Sequence, residues 1–241
     1  MKLTEAERTE KIELTRKFYR EHLVELPPEP QWRQFRCRLW TENKAAYFGG
    51  RKKMARDPTE SFSWVKIHDT IYTPQQMQKW LVKLAPRDVY FMTSRFLNPQ
   101  NVGPKKLTKP GFKWAYNIFL GSELYFDFDV KDIVSTLSMR EYLMKKYGFQ
   151  QVEVYETFRG FHIHCIDFED KVEALKHLDK YWKFREEKYQ YEKKKIADDL
   201  QKHGYKFDRP ITIDTRRIIK LIGSIDGNGF VKTRVKTEEL K

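Results

Sequence analysis

The chain has 241 residues, with 47 Lys and Arg against 34 Asp and Glu and a formal net charge of +13. That length suits one catalytic-sized unit with a sizeable interior, and the positive balance favours a polyanionic partner such as nucleic acid or a nucleoside triphosphate. Cys37 and Cys165 lack any ligand-type spacing, which excludes a zinc knuckle and suggests a reducing compartment. No apolar run is long enough to span a membrane, and Met1 to Lys11 is too charged for a secretory signal, so an intracellular protein, off the membrane, is expected.

Thr4 and Glu7 have the spacing of a capping box and open a first helix carrying Ile12, Phe18, Tyr19 and Leu23 until Pro27-Pro28 stop it. Gln34 to Trp40 reads as a strand in which Arg33, Arg36 and Arg38 mingle with Trp32 and Trp40, followed by the loop Gly49-Gly-Arg-Lys-Lys53. This mixture suits phosphates and stacked bases, and it equally suits an edge strand protected by charge. Thr73-Pro74 starts a second helix ending near Pro86, and Asp88 to Ser94 follows as a strand. Asn98 to Lys113, rich in Pro, Gly and Lys, is a long surface loop.

Strict apolar/polar alternation over Glu123-Leu-Tyr-Phe-Asp-Phe-Asp-Val130 predicts a half-buried strand. Leu124, Phe126, Phe128 and Val130 face the core, and Asp127 and Asp129 share the polar face about 7 Å apart along the strand. Two such carboxylates repel unless a cation lies between them, and Mg²⁺ or Mn²⁺ takes carboxylate and phosphate oxygens together. A helix then runs to Tyr147 with Gly148 as its cap, and strands Gln151 to Glu156 and Phe161 to Ile166 surround Thr157-Phe-Arg-Gly160. His162 and His164 are expected to straddle the second strand, one facing in and one out. Phe168 to His203 reads as a long, charged helical region with an apolar stripe of Leu175, Leu178, Trp182 and Phe184, and the tail from Glu238 is short and polar. His22, His68, His177 and His203 have no partner in view.

Three clusters carry chemistry: Asp127 with Asp129; Arg159-Gly160-Phe161-His162; and the segment Asp208 to Gly227, with Asp214, Arg216, Arg217, Lys220, Gly223, Ser224 and Asp226. In that order they supply metal, phosphate and sugar contacts to one sheet face. From Trp32-Arg-Gln-Phe35 through Ala85-Pro-Arg-Asp-Val-Tyr90 to Gly229 the chain resembles the catalytic small subunit of archaeal and eukaryotic DNA primase, of the archaeo-eukaryotic primase superfamily.

The resemblance implies an α+β primase-type fold, a mixed sheet with an RRM-like catalytic core packed by helices, over one domain at 1–241 without a zinc-binding module. It implies that Asp127, Asp129 and Asp208 hold Mg²⁺ or Mn²⁺, with Asp214 as the rival for the third place, and that Arg159, His162, Lys220 and Ser224 contact the nucleotide. The implied activity is template-directed nucleotidyl transfer that makes short primers on single-stranded DNA from nucleoside triphosphates, with a primase large subunit as partner, in the cytoplasm or nucleus. Primer extension by a repair or mobile-element polymerase of the same superfamily is the second reading, and a DNA-binding subunit weakened in catalysis is the third.

The pattern also departs from the family. Glu156 and Thr157 stand where the Ser and Gly of Ser-Gly-x-Arg-Gly-x-His are usual, and Asp226 and Asn228 replace the His and Lys of Ser-Leu-His-Gly-Lys. A carboxylate 4 Å from a phosphate charge costs about 4 kcal/mol at an effective dielectric near 20, so weaker nucleotide binding is expected.

Overall fold

The structure is a computed structural model, and it describes residues 3–42, 47–48, 51–52, 62–102, 117–179 and 184–236. The part of the expected surface loop beyond residue 102, residues 49–50 and 53 of the glycine-basic loop, Trp182 and the tail from Glu238 lie outside the described residues.

In chain order the elements are α1 (Glu5–Glu21), β1 (Phe35–Glu42), β2 (Tyr47–Phe48), β3 (Arg51–Lys52), β4 (Phe62–Ile67), α2 (Pro74–Leu84), β5 (Asp88–Met92), β6 (Ser94–Phe96), β7 (Phe119–Ser122), β8 (Leu124–Phe128), α3 (Ile133–Tyr147), β9 (Val152–Glu156) and β10 (Phe161–Cys165). There follow α4 (Phe168–Lys171), α5 (Glu173–Lys176), α6 (Arg185–Lys202), α7 (Arg209–Ile213), β11 (Ile218–Lys220) and β12 (Thr233–Arg234). The fold is α+β, as expected. In place of one mixed sheet, however, the described strands form two four-stranded sheets, β11-β5-β1-β4 and β12-β9-β10-β8, and two short ribbons, every ladder antiparallel. Within the second sheet β8 and β9 run in the same direction with β10 between them, and α3 makes the crossover, a split β-α-β arrangement.

Local signals account for the helix starts. Thr4 and Thr73 each cap a helix and form the full box with Glu7 and Gln76, and Gly148 ends α3 at φ 71°, where a Cβ would be strained. The first helix stops at Glu21, six residues before Pro27, because His22 turns extended and Glu25 bridges Ile222; Leu23 is left exposed. Among the described residues the region from Phe168 to His203 holds three helices instead of one, and Phe184 is exposed instead of forming part of an apolar stripe. Arg51 and Lys52 pair with Tyr47 and Phe48 as strand, not loop.

α1 and α2 cover one face of the first sheet, where Tyr19, Phe35, Cys37, Met77, Leu81, Val89 and Phe91 are buried. α3 and α6 cover one face of the second, around Phe126, Met139, Leu143, Ile163, Ile196 and Leu200. The strand β1 is interior to its sheet, so protection of an edge does not explain its arginines. Arg33 is instead a joint: fully buried, it donates to the carbonyls of Pro28 (2.8 Å), Met92 (3.1 Å) and Thr93 (3.0 Å) and pairs with Glu123 at the start of β8. Burial pushes the Glu123 carboxyl up, but the charges of Arg33 and Arg95 outweigh it and hold the pKa below the ordinary 4.5. No helix among the described residues is long and apolar enough to cross a membrane.

Removing one partner of such a pair leaves the other charged and buried. Glu123→Ala is therefore expected to lower the unfolding free energy by about 3–5 kcal/mol in urea melts at neutral pH, and Arg33→Met/Glu123→Leu to recover much of the loss. Because the folded-state pKa of Glu123 is depressed, its contribution is complete above about 4.5 and disappears as pH falls through the lower folded value. The acid limb of stability against pH should accordingly be flatter in Glu123→Gln than in wild type.

Candidate active site

The two sheets meet around a polar cleft of about 250 Å³. Its walls include Asp127 and Asp129 at the end of β8, the hairpin turn Thr157, Phe158 and Arg159, His162 on β10, and Arg38, Arg87, Asp88, Tyr90, Lys220 and Asp226 from the first-sheet side. Asp127, Asp129, Arg159, His162 and Lys220, all singled out in the sequence, thus line one cavity.

Asp127 lies on the strand, and Asp129 just beyond its end; Val130, expected in the core, is 67% exposed because the strand has already stopped. His162 Nε2 stands 3.2 Å from Asp127 Oδ1, and its Nδ1 is buried without a hydrogen-bond partner. Burial first, then the neighbouring Lys232 charge, push the His162 pKa down to about 4, so the ring is neutral at physiological pH. In that state Nε2–H donates to the carboxylate, and His162 orients Asp127. The Asp127 carboxyl is held below the ordinary range: burial raises it, and the hydrogen bond from His162, with the charges of Lys232 and Arg159, more than compensates. Asp129 is shifted upward, by burial and then by the charge of Asp127, with Asp208 adding to the effect and Arg159 opposing it.

His162 and His164 do not straddle the strand. Residues two apart on a strand share a face, and both rings are buried on the same side, 6.1 Å apart. His164 Nε2 lies 3.2 Å from Lys232 Nζ, a fully buried lysine that also donates to the Lys220 carbonyl at 2.9 Å and stands over the Tyr155 ring.

Glycine is required at position 160 by proximity. A Cβ there would collide with the Phe128 carbonyl and with the backbone of Val130 at 2.8 Å, so the Arg159 turn is pressed directly against the end of the acidic strand. Thr157 closes this turn, its N–H donating to the Gly160 carbonyl (2.8 Å) and its Oγ1 accepting from Gly160 N–H (3.1 Å). Arg159 is exposed at its tip.

Lys220 donates to Asp226 Oδ2 at 3.0 Å and lies 3.4 Å from Asp88 Oδ1. Asp88 is also within 3.5 Å of Arg38 and 3.9 Å of Arg87. The acid expected to repel phosphate at position 226 is thus paired internally, and its other oxygen accepts from the N–H groups of Asn228 (2.8 Å) and Phe230 (3.1 Å). Glu156 pairs with Lys131 at 2.9 Å and does not line the cleft.

Asp208 caps α7 and donates its N–H to the Asp127 carbonyl at 2.8 Å, but its side chain is not part of the cleft wall. Among the described residues no group of three or more His, Cys, Asp or Glu side chains stands close enough to hold a metal ion. Asp214 lies away from the cleft, 3.2 Å from Arg217. Ser224 does not line the cleft; it is fully buried, with its hydroxyl donating to the Leu221 carbonyl at 2.7 Å. Arg216 pairs with Glu186. Arg87, Asp88 and Tyr90 also line the cleft and Lys232 packs against His164; local pattern does not show this, because the contact of β5 with β8, Phe91 against Tyr125, is long-range.

No protein-family model matches the chain. Among curated proteins it is 20% identical to the DNA primase small subunit PriS of Sulfurisphaera tokodaii, over 79% of this chain and 72% of that one. Among solved structures it is similar to the polymerase domain of Mycobacterium tuberculosis ligase D in complex with DNA, at 13% identity and a TM-score of 0.49, over 97% of this chain and 82% of that one.

The contact at Gly160 can be tested against Gly148, where a side chain would meet nothing within 4 Å. Gly148→Ala should cost only the left-handed strain, about 1 kcal/mol, whereas Gly160→Ala must move backbone and should cost about 1–3 kcal/mol more, read as a clearly lower Tm in calorimetry.

Proposed function

We propose that the chain is a template-directed nucleotidyltransferase of the DNA primase type, joining nucleotides on single-stranded DNA. The observation that carries this reading is the meeting of Asp127, Asp129, Arg159, His162 and Lys220 in one cleft, although they come from separate parts of the chain. The likeness to an archaeal primase small subunit supports it.

The donor chemistry suits a hard divalent cation. Asp127 and Asp129 offer only oxygen, and the upward shift at Asp129 caused in part by Asp127 and Asp208 marks carboxylate charge that Arg159 alone does not balance. Asp127, Asp129 and Asp208 are the proposed ligands, with Asp208 tied to the site through the Asp127 carbonyl. A bound Mg²⁺ or Mn²⁺ would supply Lewis-acid charge to the reacting phosphate and hydroxyl.

The remaining roles belong to the chain itself. Arg159 and Lys220, on opposite walls, bind the triphosphate and stabilise charge developing on it, with Arg38 and Arg87 adding positive potential. His162, neutral, keeps the Asp127 carboxylate oriented. At about 250 Å³ the cleft is below the usual range for a whole organic ligand, and it suits the polyphosphate with the base lying outside. Single-stranded DNA, nucleoside triphosphates and a primase large subunit are the partners in this reading.

The test is Mn²⁺-dependent synthesis on single-stranded DNA with labelled nucleotides, with and without a primer. Asp127→Asn and Asp208→Asn should each abolish product and Asp214→Asn should leave measurable activity; equal loss at all three would remove Asp208 as the third ligand. Unprimed product indicates initiation, and primed product alone indicates an extending polymerase. A second expectation concerns Asp226, which restrains Lys220. Asp226→Asn retains the acceptor for Asn228 and Phe230 and removes one negative charge, so KM for nucleotide should fall severalfold with kcat little changed; a higher KM would show that the carboxylate itself serves binding.

A further inference from the structure

The basic and aromatic stretch around β1 is only partly used by the cleft. Alternation sends Phe35 and Cys37 into the core under α1 and α2 and turns Arg36 and Arg38 to the opposite face of the sheet. Register then sets Arg38 across from Trp64 and Arg36 across from Lys66 on β4, and Arg36 across from Tyr90 on β5. Trp40 belongs elsewhere, being buried.

Three of these side chains form a stack. The Arg38 guanidinium lies 5.2 Å from the Trp64 ring centre and 6.0 Å from that of Tyr90, and the two rings are 5.3 Å apart with a tilt of 46°. Trp64 nevertheless remains 49% exposed. A tryptophan braced by a cation and a second ring, with half its surface in water, presents a planar apolar face at little further cost in side-chain entropy. Beside it Arg36 and Lys66 are like charges in neighbouring register, and no carboxylate pairs with either among the described residues. Burial and, to a lesser extent, the Arg36 charge draw the Lys66 ammonium pKa down. Arg36 does hold Gln34, and Lys66 donates to the Gln100 carbonyl at 2.5 Å, so both are anchored at the surface. Arg38 and Tyr90 also line the cleft, which makes the patch continuous with it.

We propose that this open face of β5-β1-β4 binds single-stranded DNA, with Trp64 and Tyr90 stacking bases and Arg36, Arg38 and Lys66 taking phosphates. The proposal rests on the function above in one respect, that the strand held here is the template leading into the cleft. Unpaired bases are required, because a duplex hides the ring faces that an aromatic platform meets.

Binding can be measured without turnover, by fluorescence anisotropy of a short labelled oligo-dT in EDTA. Trp64→Ala should weaken binding about tenfold or more and Trp64→Phe should restore it to within about threefold of wild type, the stacking surface being retained. Lys66→Gln should reduce the slope of log affinity against log salt by about 0.7. Affinity unchanged in Trp64→Ala, no binding by wild type, or equal affinity for a duplex of matched length would each overturn the proposal. Failure here and failure of the enzymatic reading are distinguishable. Trp64-dependent binding without Mn²⁺-dependent product keeps this face and removes the activity, whereas product formation with Trp64→Ala binding as tightly as wild type does the reverse.

Discussion

One buried ion pair governs where the chemistry lies. Arg33 precedes β1 and Glu123 precedes β8, so their contact fixes the start of the acidic strand against the first sheet. Desolvating both charges is costly, and the arrangement is stable because the remaining guanidinium N–H groups meet the Pro28, Met92 and Thr93 carbonyls while Tyr125 donates to Glu123 at 2.8 Å. Arg95 links Glu123 to Glu169, and Lys193 donates to Ser122 at 2.6 Å, which brings α4 and α6 into the same network. Asp127 lies four residues beyond Glu123 on the same pleat, and its place in the cleft follows from that anchor.

The cleft is arranged so that most of its charge is already matched from within. Lys220 lies between Asp88 and Asp226, and Asp127 is held by a histidine that burial keeps neutral. Asp129 is the exception: partial desolvation first and then the charges of Asp127 and Asp208 raise its pKa, and Arg159 opposes them. The acidic corner thus calls for positive charge, and the first-sheet face, with Arg36 beside Lys66, for negative. In the proposed function, a metal-bound nucleotide and the phosphates of a strand would answer these two demands separately.

What was legible in the sequence was local. The capping box at Thr4, the cap at Thr73, the Gly148 stop and the inward Leu124, Phe126 and Phe128 of β8 depend on residues within a few positions of one another and are found as read, whereas the strand stops before Val130, which is exposed. The helix end at Glu21 and the breaks after Phe168 were not legible, because the Glu25 bridge to Ile222 and the packing of α4 and α6 are tertiary. His162 and His164 are a case of another kind, since the period of a strand already places them on one face. In the site, Asp127 and Asp129 could be found from alternation, whereas Lys220 came through resemblance alone. Asp88 carried no local signal, because its place arises from the antiparallel register of β5 with β1, which sets it across from Arg38.

The segment from Ser224 to Phe230 bears most directly on how this chain differs from the pattern it resembles. Ser224 and Asp226 act as turn residues: the hydroxyl holds Leu221, and one carboxylate oxygen gathers two backbone N–H groups. Gly227 lies so close to Arg87 that a Cβ would meet its side chain, which joins the turn to the basic wall. Where a histidine is usual, Asp226 therefore adds a restraint on Lys220 instead of a repulsive charge facing solvent. In the proposed function, an incoming phosphate competes with that carboxylate for the ammonium and binds more weakly than to an unpaired lysine. The consequence of the substitution, in that proposed function, is a shift in how Lys220 is released to substrate, with the carboxylate corner left unaltered.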